Sequence, residues 1–289
     1  MIAAPSCRQR LFASLRRVAG LLGLAYVGFA GWVYWNQETL LFRGEPLPAG
    51  HRFDLPADIR EVGIPVPGAT LSALHLRVPG ARGVVFYLHG NGGNLDSWFS
   101  NHDFYRQAGI DLFMIDYRGY GKSSGRPQSE AQLLADVRAA WATVAPQYAG
   151  RTRVIVGRSL GSGLAARLAA EVQPELTVLI SPYCSLREVA AAAYPYLPGF
   201  LLRYPLDTCA VADGIRGPLL LIHGDRDTLI PAEHSRRIQA RAPRAELALI
   251  AGAGHDDVHG FESYRQTLRA RLLLPGPRSA QEPGKPAGR

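Results

Sequence analysis

Hydrophobic positions along this chain fall into two patterns. Residues 18–35 form one continuous uncharged run, VAGLLGLAYVGFAGWVYW. Beyond residue 58, short apolar runs alternate with amphipathic or alanine-rich stretches. The runs cover residues 84–88, 111–115, 153–156, 177–180, 219–222 and 247–250. Between them, residues 131–144, 160–172 and 232–241 carry helical periodicity. Short β-branched runs separated by helices predict a parallel sheet with helices on both faces. Residues 59–66 and 71–78 flank the turn Pro67-Gly68 and predict an antiparallel start to that sheet. The expected fold class is therefore α/β, with eight mostly parallel strands. In such sheets, functional side chains gather on loops after the carboxyl ends of strands.

The first pattern predicts a membrane anchor. Eighteen helical residues reach about 27 Å, close to the hydrocarbon thickness of a bilayer. Trp32, Tyr34 and Trp35 fit an interfacial aromatic belt at the far end. Arg8, Arg10, Arg16 and Arg17 lie upstream and predict a cytoplasmic N-terminus, with everything after residue 36 across the inner membrane. A cleaved signal peptide competes, because Gly28-Phe29-Ala30 offers a small-x-small site. The apolar run continues past that site, which favours an uncleaved anchor over cleavage. A buried helix of a soluble protein is disfavoured by apolarity on every face. The expected organisation is a basic segment at 1–17, an anchor at 18–35 and an irregular connector at 36–58. An α/β domain follows at 59–272, then a disordered tail rich in Pro and Gly at 273–289.

Chemistry enters through Gly-x-Ser-x-Gly, which occurs twice, around Ser123 and around Ser159. A nucleophile elbow needs a strand, an abrupt turn and then a helix at once. Ser159 meets each requirement: Val154-Ile155-Val156 precedes it and a helical pattern starts at Leu160. Ser123 does not, because loop separates it from Ile115 and Arg126-Pro127 follows it. Gly121-Lys122-Ser123 also lacks the earlier glycine of a phosphate loop, since Asp116 stands there.

A serine hydroxyl is inert near neutral pH without a general base, and imidazole is the usual one. Of eight histidines, His255 lies in a glycine-rich loop just after the last apolar run. His89 and His223 end strands before glycines and read as packing residues. His51, His75, His102, His234 and His259 lack a strand-end context and read as surface or helix residues. The orienting carboxylate should lie on a strand-end loop between Ser159 and His255. Asp227 fits that place, whereas Asp225 reads as an acceptor for its own turn. Asp256 and Asp257 are too near His255 in sequence to orient its ring. An oxyanion hole needs two backbone N–H donors. Leu160, directly after Ser159, and Asn91, in the loop after the first parallel strand, are the expected pair.

Composition narrows the partners. The formal charge is +8, but only two lysines are present and most arginines are scattered. A nucleic-acid binder would show a basic stripe with interleaved aromatics, so that class is set aside. No CxxC or Cys/His cluster suggests a metal, and no cofactor is implied. Cys184 and Cys209 either pair, if the domain is exported, or remain two buried thiols.

These strings together resemble one family. His89-Gly90-Asn91-Gly92-Gly93-Asn94, Asp116 to Ser123, Gly157-Arg158-Ser159-Leu160-Gly161, His223 to Asp227 and Gly254-His255-Asp256-Asp257 resemble the bud-emergence-type branch of the α/β-hydrolases. That branch is similar to the depalmitoylase-like and monoacylglycerol-lipase-like hydrolases. The resemblance spans about residues 58–272 and implies Ser159, Asp227 and His255 as a catalytic triad. It implies a membrane-anchored serine hydrolase acting on small-molecule or lipid acyl esters or thioesters. It also implies a small cap between Pro182 and Pro218. Tyr183, Tyr194, Tyr196, Phe200 and Tyr204 in that stretch either line an acyl pocket or pack against the sheet. A peptidase or amidase with the same triad and a non-catalytic binding protein of the same fold are the competing classes.

Overall fold

The computed structural model describes residues 7–48 and 50–273. Residues 1–6 and the expected tail beyond Leu273 lie outside that range.

The eight expected strands form one sheet in the order β1-β2-β4-β3-β5-β6-β7-β8. They are β1 (Ile59–Val66), β2 (Ala69–Leu76), β3 (Gly83–Leu88), β4 (Asp111–Ile115), β5 (Thr152–Arg158), β6 (Leu176–Ile180), β7 (Leu219–Gly224) and β8 (Glu246–Ile250). β1 and β2 form the antiparallel start, and β2 pairs β4 antiparallel. Every later pairing is parallel.

Alternate residues of the central strands feed two cores, as the pleat requires. Val84, Phe86, Leu88, Ile155 and Leu179 belong to one. Val85, Tyr87, Val154, Val156 and Val178 belong to the other. Helices cover both faces, which is why these strands read as unbroken apolar runs. In chain order the helices are α1 (Cys7–Trp35), α2 (Gln37–Leu41), α3 (Leu95–Trp98), α4 (His102–Gln107), α5 (Glu130–Val144), α6 (Leu160–Val172), α7 (Leu186–Ala193), α8 (Glu233–Arg241) and α9 (Glu262–Leu273). α5, α6 and α8 supply Trp141, Leu164 and Ile238 to the first core. α3, α4 and α9 supply Leu95, Tyr105 and Leu268 to the second.

Two parts stand outside the sheet. α1 starts at Cys7, carries the four arginines and runs through the whole apolar stretch; none of its residues is buried. It is long and apolar enough to cross a membrane. The cap lies between β6 and β7 and holds α7 and a 3-10 turn at Gly199–Leu201. Cys184 and Cys209 are disulfide-bonded, with Cα atoms 4.8 Å apart, and close the cap into one loop.

The segment after α1 is tied down along its length. Gln37 donates to Leu201 O (2.6 Å) and accepts the Arg203 N–H (2.9 Å). Glu38 pairs with Arg203 and accepts the Tyr204 hydroxyl (2.6 Å). Gly44 and Pro46 then form β-bridges to Gly93 and Gly121. Residues 37–47 therefore form a strap across the loops at the carboxyl ends of the strands.

Candidate active site

Ser159 sits between the end of β5 and the start of α6 with φ 49° and ψ −117°. That region is costly for a residue with a side chain, by about 1–3 kcal/mol. It persists because the turn is locked on both sides. A Cβ on Gly157 would lie 2.4 Å from the Ala165 methyl, and one on Gly161 would lie 2.2 Å from Leu88 O. The two motif glycines thus let α6 pass close to β5 and β3, leaving the serine at the turn's apex.

Two later strand-end loops meet Ser159. His255 Nε2 is 2.9 Å from Ser159 Oγ, and His255 Nδ1 is 2.7 Å from Asp227 Oδ2. Burial works against the charge of Asp227, but hydrogen bonds from His223, His255 and the Ile230 N–H outweigh it. Its pKa is held far below the usual carboxylate range. An ionised Asp227 only accepts, so Nδ1 of His255 carries the proton and Nε2 is free to accept from Ser159. The N–H groups of Leu229 and Ile230 fix the second carboxylate oxygen at 3.0 and 2.8 Å.

His223, expected as a packing residue, and Arg158, given no role by the sequence, both support this arrangement. His223 is fully buried, and its Nε2 lies 2.7 Å from Ile230 O and 3.3 Å from Asp227 Oδ2. Both atoms are acceptors, so Nε2 donates to them, and Nδ1 accepts from Ser235 Oγ at 2.7 Å. Arg158, the variable residue of the motif, donates to His255 O and Asp256 O at 3.1 and 3.2 Å. Its guanidinium lies over the Trp98 ring. It clamps the histidine loop to the elbow. The carbonyls it meets are 97 and 98 residues away in sequence, and no local signal points to them.

The expected oxyanion donors occupy two adjoining elements. Leu160 is the first residue of α6, where helix geometry leaves its N–H without an intrahelical acceptor. Gly90 packs on Ser159: a Cβ there would lie 3.5 Å from that of Ser159. Asn91 follows Gly90, and its side chain holds the strap. Oδ1 accepts the Arg43 N–H (2.9 Å) and the Tyr120 hydroxyl (2.7 Å), while Nδ2 donates to Leu41 O (2.6 Å).

The remaining candidates fall elsewhere. Ser123 is buried, accepts the Ser72 N–H (2.8 Å) and donates to Asp116 O (2.7 Å), so its hydroxyl is committed to structure. His89 is buried and donates from Nδ1 to Gly90 O (2.7 Å). Two expectations need correction. Asp225 accepts from Gly252 N–H (2.7 Å) across to the histidine loop and not from its own turn, because β7 and β8 are neighbours and their loops run side by side. His75 is no surface residue: it lies on β2, is buried, and meets the Tyr148 hydroxyl at 2.8 Å. Burial, with Arg77 and Arg60 nearby, pushes its pKa down to about 4. Among the described residues, no cluster of His, Cys, Asp or Glu is arranged to hold a metal ion.

Comparison with known proteins places the chain. Residues 79–206 match the family described as serine aminopeptidase, S33. An uncharacterized protein of Mycobacterium tuberculosis is 31% identical over 250 residues, covering 83% of this chain and 88% of that protein. The chain belongs to the α/β-hydrolase superfamily. α/β-Hydrolase domain-containing protein 17C of Xenopus tropicalis is 33% identical over 213 residues. This α/β-hydrolase spans 66% of that relative, just under two thirds of its length. Among solved structures, the Pyrococcus furiosus esterase Pf2001 superposes with TM-score 0.64 at 22% identity, covering 79% of this chain and 98% of that one. Est1E of Butyrivibrio proteoclasticus, solved with ferulic acid, gives 0.58 at 18% identity, covering 73% and 96%. At these identities the structural likeness concerns the fold of the α/β-hydrolase.

Proposed function

We propose that this α/β-hydrolase is a membrane-anchored serine hydrolase that cleaves carboxylic ester or thioester bonds through an acyl-enzyme. The observation that carries this is the continuous line of hydrogen bonds from Ser159 through His255 to Asp227. His255 takes the Ser159 proton as Oγ attacks the carbonyl carbon, and gives it to the departing alcohol or thiol. It then takes a proton from water, whose oxygen attacks the acyl carbon, and returns that proton to Ser159 Oγ as the acyl–serine bond breaks and the acid leaves. Asp227 holds the imidazole tautomer and stabilises its cation. The N–H groups of Leu160 and Asn91 receive the charge on the carbonyl oxygen.

α1 serves as the anchor, with its arginine-rich end in the cytoplasm and the hydrolase domain across the inner membrane. The Cys184–Cys209 disulfide supports that side, since such bonds persist in oxidising compartments. The test is labelling by a fluorophosphonate probe. Ser159→Ala abolishes it and Ser123→Ala leaves it intact; strong labelling of the Ser159→Ala protein rejects the assignment.

The description of the matching family favours a second reading, as an aminopeptidase. Such an enzyme holds a free α-ammonium with a carboxylate. Turnover of aminoacyl amides above that of matched esters would reverse the order.

A further inference from the structure

An apolar cavity of about 240 Å3 lies between α1 and the cap. Phe29, Trp32 and Val33 of α1 form one wall, and Ala190, Leu197 and Leu202 of the cap face them. α2 forms the floor with Leu40 and Leu41. The amide of Gln37, which also lines the cavity, is already spent on Leu201 O and the Arg203 N–H. Such a space makes little demand for polar partners and suits an apolar guest. Its volume falls below the roughly 300–1,000 Å3 of drug-sized sites, which fits one slender chain.

The cavity's height is set by its contacts with α1. Tyr26 donates to Tyr196 O (2.8 Å), and Phe29 lies beside the Tyr196 ring. Tyr26 precedes Trp35 by nine residues, about 14 Å along a helix axis. With Trp35 at the outer interface of a bilayer, the cap edge reaches the outer hydrocarbon. That edge is aromatic and open: Tyr194, Tyr196 and Phe200 are 49%, 56% and 80% exposed, as suits side chains seated among lipids. The floor is tied to the loop that packs on Ser159. Leu41 O and the Arg43 N–H are held by the Asn91 side chain, one residue beyond the glycine that packs on Ser159.

We infer that this cavity receives one fatty acyl chain of an outer-leaflet lipid, which enters sideways between α1 and the cap and brings its ester carbonyl to Ser159. The inference rests on the hydrolase reading above and names its substrate class, a long-chain acyl ester of a membrane lipid. The anchor helix is then a wall of the binding site as well as a tether.

The test uses the full chain in phosphatidylcholine vesicles. p-Nitrophenyl palmitate in the bilayer is compared with p-nitrophenyl acetate in solution. Val33→Trp and Ala190→Trp fill the cavity from opposite walls, and Leu24→Trp changes an exposed residue of α1 that does not line it. Both filled variants should lose palmitate turnover by about tenfold or more, with acetate turnover kept within about twofold. Leu24→Trp should change neither. An unchanged palmitate-to-acetate ratio in both filled variants overturns the inference. So does a wild-type protein that cleaves palmitate in detergent micelles but not in vesicles. A soluble S-palmitoyl peptide cleaved as fast without lipid as the vesicle ester overturns the lipid source. Ester turnover surviving Ser159→Ala is a separate failure, that of the hydrolase reading.

Discussion

Two regions meet over Ser159, and they are held together differently. On the sheet side, Asp227 and His223 are buried side chains whose polar atoms have partners, and Arg158 ties the histidine loop to the elbow. On the cap side, α7 has no buried residue; the cap is closed by one disulfide and tied down by the Tyr183 hydroxyl on Leu160 O (2.9 Å), the Leu206 N–H on Glu130 (2.8 Å), the Glu188–Arg237 ion pair and the strap. The difference follows from what each side has to do. Proton transfer needs atoms held within a few tenths of an ångström, which dense hydrogen bonding on rigid strands supplies. Admitting a substrate needs a surface that can part, and such surfaces come from the less buried elements of a fold.

Substitutions can break this contrast, and the largest effect belongs to the sheet side. Asp227→Asn should lower kcat on a short-chain ester by about 10⁴-fold, because the amide favours the wrong imidazole tautomer. A loss below about tenfold would show that Asp227 does not orient His255. On the cap side, replacing Cys184 and Cys209 by serine should cost about 3 kcal/mol in denaturant unfolding. Acetate-ester kcat should stay within about threefold, since no triad residue lies in the closed loop. A collapse of kcat in that double variant would mean that the cap also holds the elbow.

Acid tests the sheet side at a distance from the site. His75 has its pKa pushed down to about 4, while an unfolded histidine titrates near 6.5. Between those values the unfolded chain takes up a proton that the folded chain refuses. Stability therefore falls as pH drops from about 6.5 to about 4, by up to about 3 kcal/mol, and this contribution is flat outside that window. His75→Gln should flatten that slope in denaturant titrations. A mutant with the wild-type slope would assign the effect to other groups. The smallest effect is expected at the seam between the regions. Asn91→Ala removes the hydrogen bonds to Leu41, Arg43 and Tyr120 and should cost about 1 kcal/mol of stability. Asn91→Asp, which keeps the acceptor for Arg43 but loses the donor to Leu41, should recover part of it.

What could be read from the sequence follows the same divide. All eight strands lie within two residues of where the sequence placed them, and the central ones most plainly, because burial on both faces writes itself into consecutive positions. Ser159 stood apart from Ser123 because strand, turn and helix are adjacent in the chain. His255 and Asp227 followed from strand-end position and chain order. His75, Arg158, His223 and the Asn91 side chain were misread or passed over because their roles are set by partners distant in sequence or hidden by burial. The pairing of Cys184 with Cys209 could be stated only as one of two options, since spacing does not reveal proximity. The strap was missed for a related reason: its ties are mostly backbone atoms, which leave no mark on residue type.

One residue, Asn36, separates α1 from α2, and its side-chain amide already bonds back to Trp32 O at 2.8 Å. On the anchored reading proposed above, a leash that short keeps the hydrolase domain close against the bilayer. If α1 is embedded as proposed, lipid substrates reach the enzyme by diffusion within its own leaflet, whereas small soluble esters still reach it from the water. Its saturation by a lipid substrate should then follow the mole fraction of substrate in the membrane and not the bulk molarity. Diluting a fixed amount of substrate with inert lipid should slow turnover, and adding buffer should not.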